Sequence, residues 1–395
     1  MKKVLSVLLV ICLFVGIMPA AFAANNVQDK TLSFNSDGKF KIVVINDFQE
    51  DYFVNVRSTA MLNKLLDTEK PDLVVLNGDQ IDPSFPISNK VTFGLALASL
   101  LSAMELRHIP FIFTYGNHDA EKLEFDEGYI SEEDMAGLYY SYRYCFAEKG
   151  GYDTATYNKL IYSSDRATPV LNIYMMNTGN WLNLGTMKQE MQARVQWYKD
   201  KSDELKAANG GEPMPSLLFQ HIPVKETGKL LKIVDRDTPD AVYTYAGSRY
   251  GYCVLNEDIV RPNKYNSLGE NISCGSTSIY TGEYDAWREQ GDILCALFGH
   301  NHTNNFIGTT ADGITLGFNG GFGFGTYGNG NHRGAGVFVF DENDIENYEF
   351  YNVTYEDLFP LICKLESLPY VQELGAKLTD FLSNVNSSFR DYTGC

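Results

Sequence analysis

Five short apolar runs constrain this chain more than any other feature. They are FKIVVIND ending at Asp47, DLVVLNGD ending at Asp79, PFIFTYGN ending at Asn117, SLLFQH ending at His221 and ILCALFGH ending at His300. Runs of this length, dense in Val, Ile, Leu and Phe, read as buried strands. Between the first three lie segments with helical patterning, roughly residues 54–69 and 92–106, and Pro71 and Pro110 end them before the next strand. A third such segment covers residues 188–208, where Met191, Val195 and Tyr198 follow helical spacing. The order β-α-β-α-β predicts an α/β chain, α+β by some schemes, with an opening sheet that is at least partly parallel.

The polar ends of these runs carry the chemistry. Each of the five closes on a potential metal ligand: Asp47, Asp79, Asn117, His221 and His300. One aspartate after a strand is usually a helix cap or turn residue. Five such endings predict convergence on one rim, because open α/β sheets bind ligands at the carboxyl ends of their strands. The fifth run adds a second imidazole: of six histidines in the chain, His300 and His302 are separated only by Asn301. In extended backbone residues i and i+2 point to one side, so the pair forms a candidate metal clamp.

After His302 the pattern changes. IGTTADGITLGFNGG reads as a hairpin turning at Asp312-Gly313, and GAGVFVFDEN and NYEFYNVTYED read as further strands. Residues 317–336 are rich in glycine, which suits tight loops or close backbone approach to a ligand. They lack a G-K-[ST] ending, so no nucleotide P-loop is expected. His332 and Arg333 lie here, in a solvated loop or against substrate, while His108 falls outside every motif and is read as structural. YVQELGAKLTDFLSNV, within residues 368–389, predicts an amphipathic helix packed on the domain.

Charge and cysteines bound the setting. A formal net charge of −18 repels polyanions and argues against dedicated nucleic-acid binding, but not against small phosphate esters held through metal ions. MKKVLSVLLVICLFVGIMPAAFA reads as a cleaved secretory signal, with Lys2 and Lys3 before an apolar stretch and Ala21-Phe22-Ala23 as the cleavage site. No later segment is long and apolar enough to span a bilayer, so a secreted, extracytoplasmic protein is expected. Removal of Cys12 with the signal leaves Cys145, Cys253, Cys274, Cys295, Cys363 and Cys395, which permit disulfides of unspecified pairing, with Cys295 read as a buried thiol. Asn271, Asn352 and Asn386 head glycosylation sequons, usable only in a glycosylating host. The expected organisation is a signal peptide over residues 1–23, one domain over 24–360 and a helical extension over 361–395.

In chain order the motifs are D-F-Q at Asp47, G-D-Q-I-D from Gly78 to Asp82, G-N-H-D from Gly116 to Asp119, an isolated His221 and G-H-N-H from Gly299 to His302, followed by FNGGFGFGTYG. This set resembles the calcineurin-like metallophosphoesterase superfamily, and within it the purple acid phosphatase-related single-domain phosphatases, over roughly residues 39–341. The resemblance implies a two-sheet β-sandwich flanked by helices, with a dinuclear site at the strand-end rim. It implies two divalent ions (Mn, Zn, Fe or Mg): Asp47, Gln49 and His302 on the first, Asn117, His221 and His300 on the second, and Asp79 bridging both. It further implies that His118 faces the substrate and protonates the leaving oxygen, with Asp82 orienting it, and that a metal-bridging hydroxide hydrolyses a small phosphomonoester. A phosphodiesterase of the same fold is the alternative, and a catalytically weak, metal-containing secreted binding protein the rival from another class. A nucleotidase is disfavoured because no large base-binding domain follows G-H-N-H.

Two departures from the pattern qualify the resemblance. The usual D-x-H is D-F-Q, which gives the first ion an amide oxygen at Gln49 and makes that site harder and weaker. Asp82 stands where true purple acid phosphatases carry tyrosine, and Asp119 follows Gly-Asn-His in place of glutamate, so no ferric-tyrosinate centre is expected.

Overall fold

The computed structural model describes residues 29–51, 53–82, 90–119, 130–179, 184–272, 280–371 and 373. The signal segment, Cys274, Cys395, Asn386 and most of the expected amphipathic helix lie outside these residues. In chain order the strands are β1 (Leu32–Ser33), β2 (Lys39–Ile45), β3 (Leu73–Asn77), β4 (Phe111–Thr114), β5 (Tyr157–Tyr162), β6 (Pro169–Met176), β7 (Ser216–Gln220), β8 (Leu231–Val234), β9 (Val242–Tyr245), β10 (Tyr250–Leu255), β11 (Ile293–Phe298), β12 (Phe306–Thr309), β13 (Thr315–Phe318), β14 (Gly334–Asp341) and β15 (Glu349–Thr354). The helices are α1 (Val56–Glu69), α2 (Lys90–Glu105), α3 (Glu132–Tyr140), α4 (Leu184–Ala208), α5 (Glu283–Gln290), α6 (Tyr355–Leu358) and α7 (Pro360–Glu366).

Two large sheets form the body. One has five strands in the order β15-β14-β2-β3-β4, the other seven in the order β1-β5-β6-β7-β11-β13-β12, and a small sheet β8-β10-β9 stands beside them. β2, β3 and β4 pair in parallel, as do β6, β7, β11 and β13. β14 joins β2 antiparallel. The expected sandwich is observed, with no closed barrel among the described residues, and the hairpin about Gly313 is β12–β13.

Strand alternation assigns the faces. Leu217 and Phe219 of β7, with Cys295 and Leu297 of β11, enter the core shared with Ile42, Val44 and Phe338 of the other sheet. Their neighbours Leu218, Ala296 and Phe298 point oppositely, onto Met191 and Tyr198 of α4 and Trp287 of α5. Phe219 meets Phe338 across the sandwich edge-on at 6.1 Å. The buried runs are therefore apolar on both faces because each is covered twice.

Helix ends follow local chemistry. Asn55 caps α1 by accepting from the Arg57 N–H, and Lys70 closes it in the left-handed conformation, donating to the Leu66 carbonyl just before Pro71. Met61, Leu62, Leu65 and Leu66 form its buried stripe. Among the described residues no helix is long and apolar enough to cross a membrane. Cys145, Cys253, Cys295 and Cys363 are all buried free thiols, so no disulfide joins these four. Asn352 is committed internally: its amide donates to Asn305 and Asn319, and its oxygen accepts from Asn263.

Candidate metal centre

The parallel ladder that ends β2 and β3 continues into the two loops after them. Asp47 N–H donates to the Gly78 carbonyl at 3.1 Å, Gln49 N–H to the Asp79 carbonyl at 2.9 Å and Asp82 N–H to the Glu50 carbonyl at 3.1 Å. The D-F-Q and G-D-Q-I-D segments thus run side by side. Asp119 clamps the third loop to them: its buried carboxylate accepts from the backbone N–H groups of Gln80 at 2.8 Å and Gly116 at 2.8 Å. Its position next to His118 was the available signal, since a buried carboxylate needs donors.

Two buried asparagines join the sheets behind the site. Asn46, directly before Asp47, donates to the carbonyls of Phe298 and Asn319 at 2.9 and 2.6 Å. Asn77, directly before Gly78, donates to those of Gln220 and Leu297, each at 3.2 Å. Each therefore stands beside one motif and holds the strand ends that lead into another. Neither belongs to a motif, although a fully buried amide at the end of an apolar run requires partners.

The side chains expected at the rim converge. His221 Nε2 lies 2.9 Å from Asp79 Oδ2 and 3.6 Å from Asp47 Oδ1, and His302 Nε2 lies 3.2 Å from Asp47 Oδ1. His300 Nδ1 stands 2.9 Å from Asn117 Oδ1. Asp79, His221 and His300 offer ligand atoms all within 4.8 Å of one another. Asp79 Oδ1 also accepts the His118 N–H at 2.7 Å, which places half-buried His118 at the edge of this group. Asp82 is half-buried at the end of the described G-D-Q-I-D segment.

Two imidazoles have their tautomers set from behind. His221 Nδ1 faces the Asn77 carbonyl at 3.0 Å and His302 Nδ1 the Tyr327 carbonyl at 2.9 Å. A carbonyl only accepts, so each Nδ1 carries hydrogen and each Nε2 is turned to the carboxylates.

These residues fit a pair of cations. Asp47 Oδ2, Gln49 Oε1 and His221 Nε2 are buried without a hydrogen-bond partner. The 2.9 Å approach of His221 to Asp79 lacks hydrogen-bond alignment, as expected of lone pairs aimed at a shared third atom. Asp47, Gln49, Asp79 and His300 all adopt positive φ, at 50°, 40°, 50° and 67°. Such conformations cost about 1–3 kcal/mol each and persist where function holds them. Glycines make the room: a Cβ at Gly299 would lie 2.9 Å from His221 Nδ1, and one at Gly78 would lie 2.6 Å from the Gly116 nitrogen.

Without cations the charges strain against one another. Burial opposes charge on His221, yet Asp79 and Asp47 outweigh it and push the imidazole up to about 9. Burial and then His221 press His300 down to about 4. Burial also opposes ionisation of Asp79, but His221 and His118 hold its carboxyl well below the usual range. Burial and the Asp79 charge push Asp119 up to about 7. Bound cations would invert this balance by favouring neutral imidazoles and ionised carboxylates.

The glycine-rich segment approaches protein instead of solvent. Phe322 and Gly323 N–H groups donate to the carbonyls of Asn46 and Asp47, each at 3.0 Å, and Phe322 stacks on Phe48. A side chain at Gly323 would collide with the Phe48 carbonyl. Arg333 is no solvated loop residue: it is 7% exposed and donates to the carbonyls of Gly323, Thr326 and Tyr327. His332 faces solvent beside Glu356.

The mixed two-sheet sandwich gathers carboxylates, an amide and imidazoles at the strand ends of one rim. The chain belongs to the calcineurin-like phosphoesterase family, whose profile matches residues 40–304. Over 372 residues it is 25% identical to probable inactive purple acid phosphatase 29 of Arabidopsis thaliana, covering 84% of this chain and 83% of that protein. Phosphatase DCR2 of Saccharomyces cerevisiae is 24% identical over 301 residues, 66% of this chain and 47% of that protein. Among solved structures, TT1561 of Thermus thermophilus aligns with a TM-score of 0.37 and 9% identity, over 79% of this chain and 98% of that one.

Proposed function

We propose that this chain is a secreted two-metal phosphoesterase that hydrolyses small phosphomonoesters. The observation that carries this reading is the set of inward-facing polar atoms left without hydrogen-bond partners at the rim, on Asp47, Gln49 and His221. Asp47, Gln49 and His302 would hold the first ion, Asn117, His221 and His300 the second, and Asp79 would bridge them. The ions, when bound, would supply positive charge to the phosphoryl oxygens and activate water.

The chain's own residues have distinct tasks in this proposal. Asp79 gives one oxygen to the His118 N–H, so the bridging carboxylate would also fix the loop that presents His118. His118 would pass a proton to the leaving oxygen, and Asp82 would favour its charged form. Asp119 would hold these loops together through backbone donors. Delivery outside the cytoplasm rests on the amino-terminal signal pattern alone.

A second reading, a catalytically weak metal-containing binding protein, draws on the word "inactive" in the names of Arabidopsis relatives. The test is the purified mature chain, metal-analysed, assayed on mono- and diesters with Mn²⁺, Zn²⁺, Fe²⁺ or Mg²⁺, beside Asp79→Asn. Two ions per chain and metal-dependent monoester turnover, both lost in Asp79→Asn, are expected. Two ions without turnover would favour the binding protein, diester preference the phosphodiesterase, and no bound ions would sink the metal reading.

A further inference from the structure

The strongest unassigned feature is the clamp around His302. The Tyr327 ring stacks on the His302 imidazole, with centroids 4.1 Å apart and planes 6° from parallel. The same residue's carbonyl faces His302 Nδ1 at 2.9 Å. One residue thus constrains the imidazole both across its face and along its plane. Gly321 packs on the same histidine: a Cβ there would lie 3.1 Å from His302 Cβ.

Tyr327 is itself tied down. Its hydroxyl donates to Glu270 Oε2 at 3.0 Å, and Arg333 donates to its carbonyl at 3.1 Å. The other Glu270 oxygen accepts from Thr303 N–H and Oγ1 at 2.8 and 2.9 Å, next to His302 in the chain. Asn304 completes the zipper, accepting from the Gly269 N–H at 2.9 Å and donating to the Glu270 carbonyl at 3.2 Å. A tyrosine 55% exposed gains little from burial. Its fixed stack and tethered hydroxyl therefore call for another reason.

We propose that Tyr327, tethered through Glu270, is a positioning residue that holds the His302 imidazole in place for the first metal ion. The inference rests on the two-metal reading above. It gives that ion a compensation for Gln49, whose amide oxygen is a weaker ligand than imidazole for late transition metals. Residues that orient a ligating histidine are typically worth about 10–100-fold in metal affinity.

The test uses the mature chain with Tyr327→Ala and Tyr327→Phe, titrated with Mn²⁺ by calorimetry and electron paramagnetic resonance. Tyr327→Ala should weaken the first ion about tenfold or more and leave the second unchanged. Tyr327→Phe keeps the stack and the carbonyl but loses the Glu270 tether, so its affinity for the first ion should fall between wild type and Tyr327→Ala. In the alanine variant, excess Mn²⁺ should restore kcat without changing KM, which loss of a substrate contact would not allow. Wild-type affinity at both sites in the alanine variant, or an equal loss at both, would overturn the role of Tyr327 and leave the two-metal reading intact. Failure of the wild type to bind a pair of ions would overturn both.

Discussion

Asn77 reaches across the sandwich to the carbonyl of Leu297, 3.2 Å away, and its second donor bond goes to Gln220. These two acceptors precede His300 and His221, while Asn77 itself precedes Gly78-Asp79. One amide therefore sets the spacing of three strand ends. Asn77→Ala removes both donors from a fully buried position and should cost about 1–3 kcal/mol. Denaturant unfolding measures the cost, and metal titration should show both ions weakened together. Unchanged stability and affinity would mean that strand packing alone fixes the rim.

His118 should serve turnover and not metal retention. Its backbone N–H is anchored to Asp79, a bond that His118→Asn leaves in place. The variant should keep its metal content and lose about 10²- to 10⁴-fold in kcat, most for esters with poor leaving groups. Metal loss in the variant would make His118 a ligand.

The strand-end pattern was legible because it is local. An apolar run followed by Asp, Asn or His needs no knowledge of distant contacts, and β2, β3, β4, β7 and β11 stand where those runs lie. The parts that escaped depend on contacts that no local pattern of residues marks. Asn46 and Asn77 looked like polar strand ends, and only the second sheet gives their amides a purpose. Arg333 looked like part of a solvated loop because its acceptors are backbone carbonyls six to ten residues before it. β5 and β6 ended in no candidate ligand and so drew no attention, yet they complete the larger sheet. Tyr327 could not be placed at all, since its partners Glu270 and His302 lie 57 and 25 residues away.

Stability should depend on pH through Glu283. Burial pushes this carboxyl up to about 7, against Thr281 and Gln220 hydrogen bonds that lower it, with Glu226 raising it and Arg194 lowering it. A folded value above the ordinary 4.5 means that the native state binds more protons across that window. Stability therefore falls as pH rises from about 4.5 to about 7. Glu283→Gln keeps the shape without the charge. It should match wild type near pH 4.5 and exceed it by about 1–3 kcal/mol near pH 7.5. Urea unfolding of both proteins in chelator measures the difference, and identical pH slopes would show that Glu283 ionises freely in the fold.

Gln49, the departure from D-x-H, should set the metal preference of the first site. It is 6% exposed, holds φ at 40° and keeps Oε1 buried without a partner, while its N–H is tied to the Asp79 carbonyl. The backbone thus carries strain to bring an amide oxygen to the rim. An amide oxygen suits Mn²⁺ and Mg²⁺, whereas imidazole binds zinc more tightly. The wild type should lose its first ion on dilution and recover activity with added Mn²⁺. Gln49→His should tighten zinc at that site tenfold or more, about 1.4 kcal/mol or above. The second ion, assigned to Asn117, His221 and His300, should keep its affinity, since Gln49 has no part in that set. Calorimetric zinc titration of both proteins, with activity followed in parallel, separates the sites. Equal zinc affinity at both wild-type sites, unchanged by the substitution, would mean that Gln49 does not reach the metal. Glu50 would not be the replacement ligand, because its carboxylate already accepts from Ser58, Asn55 and Gly325.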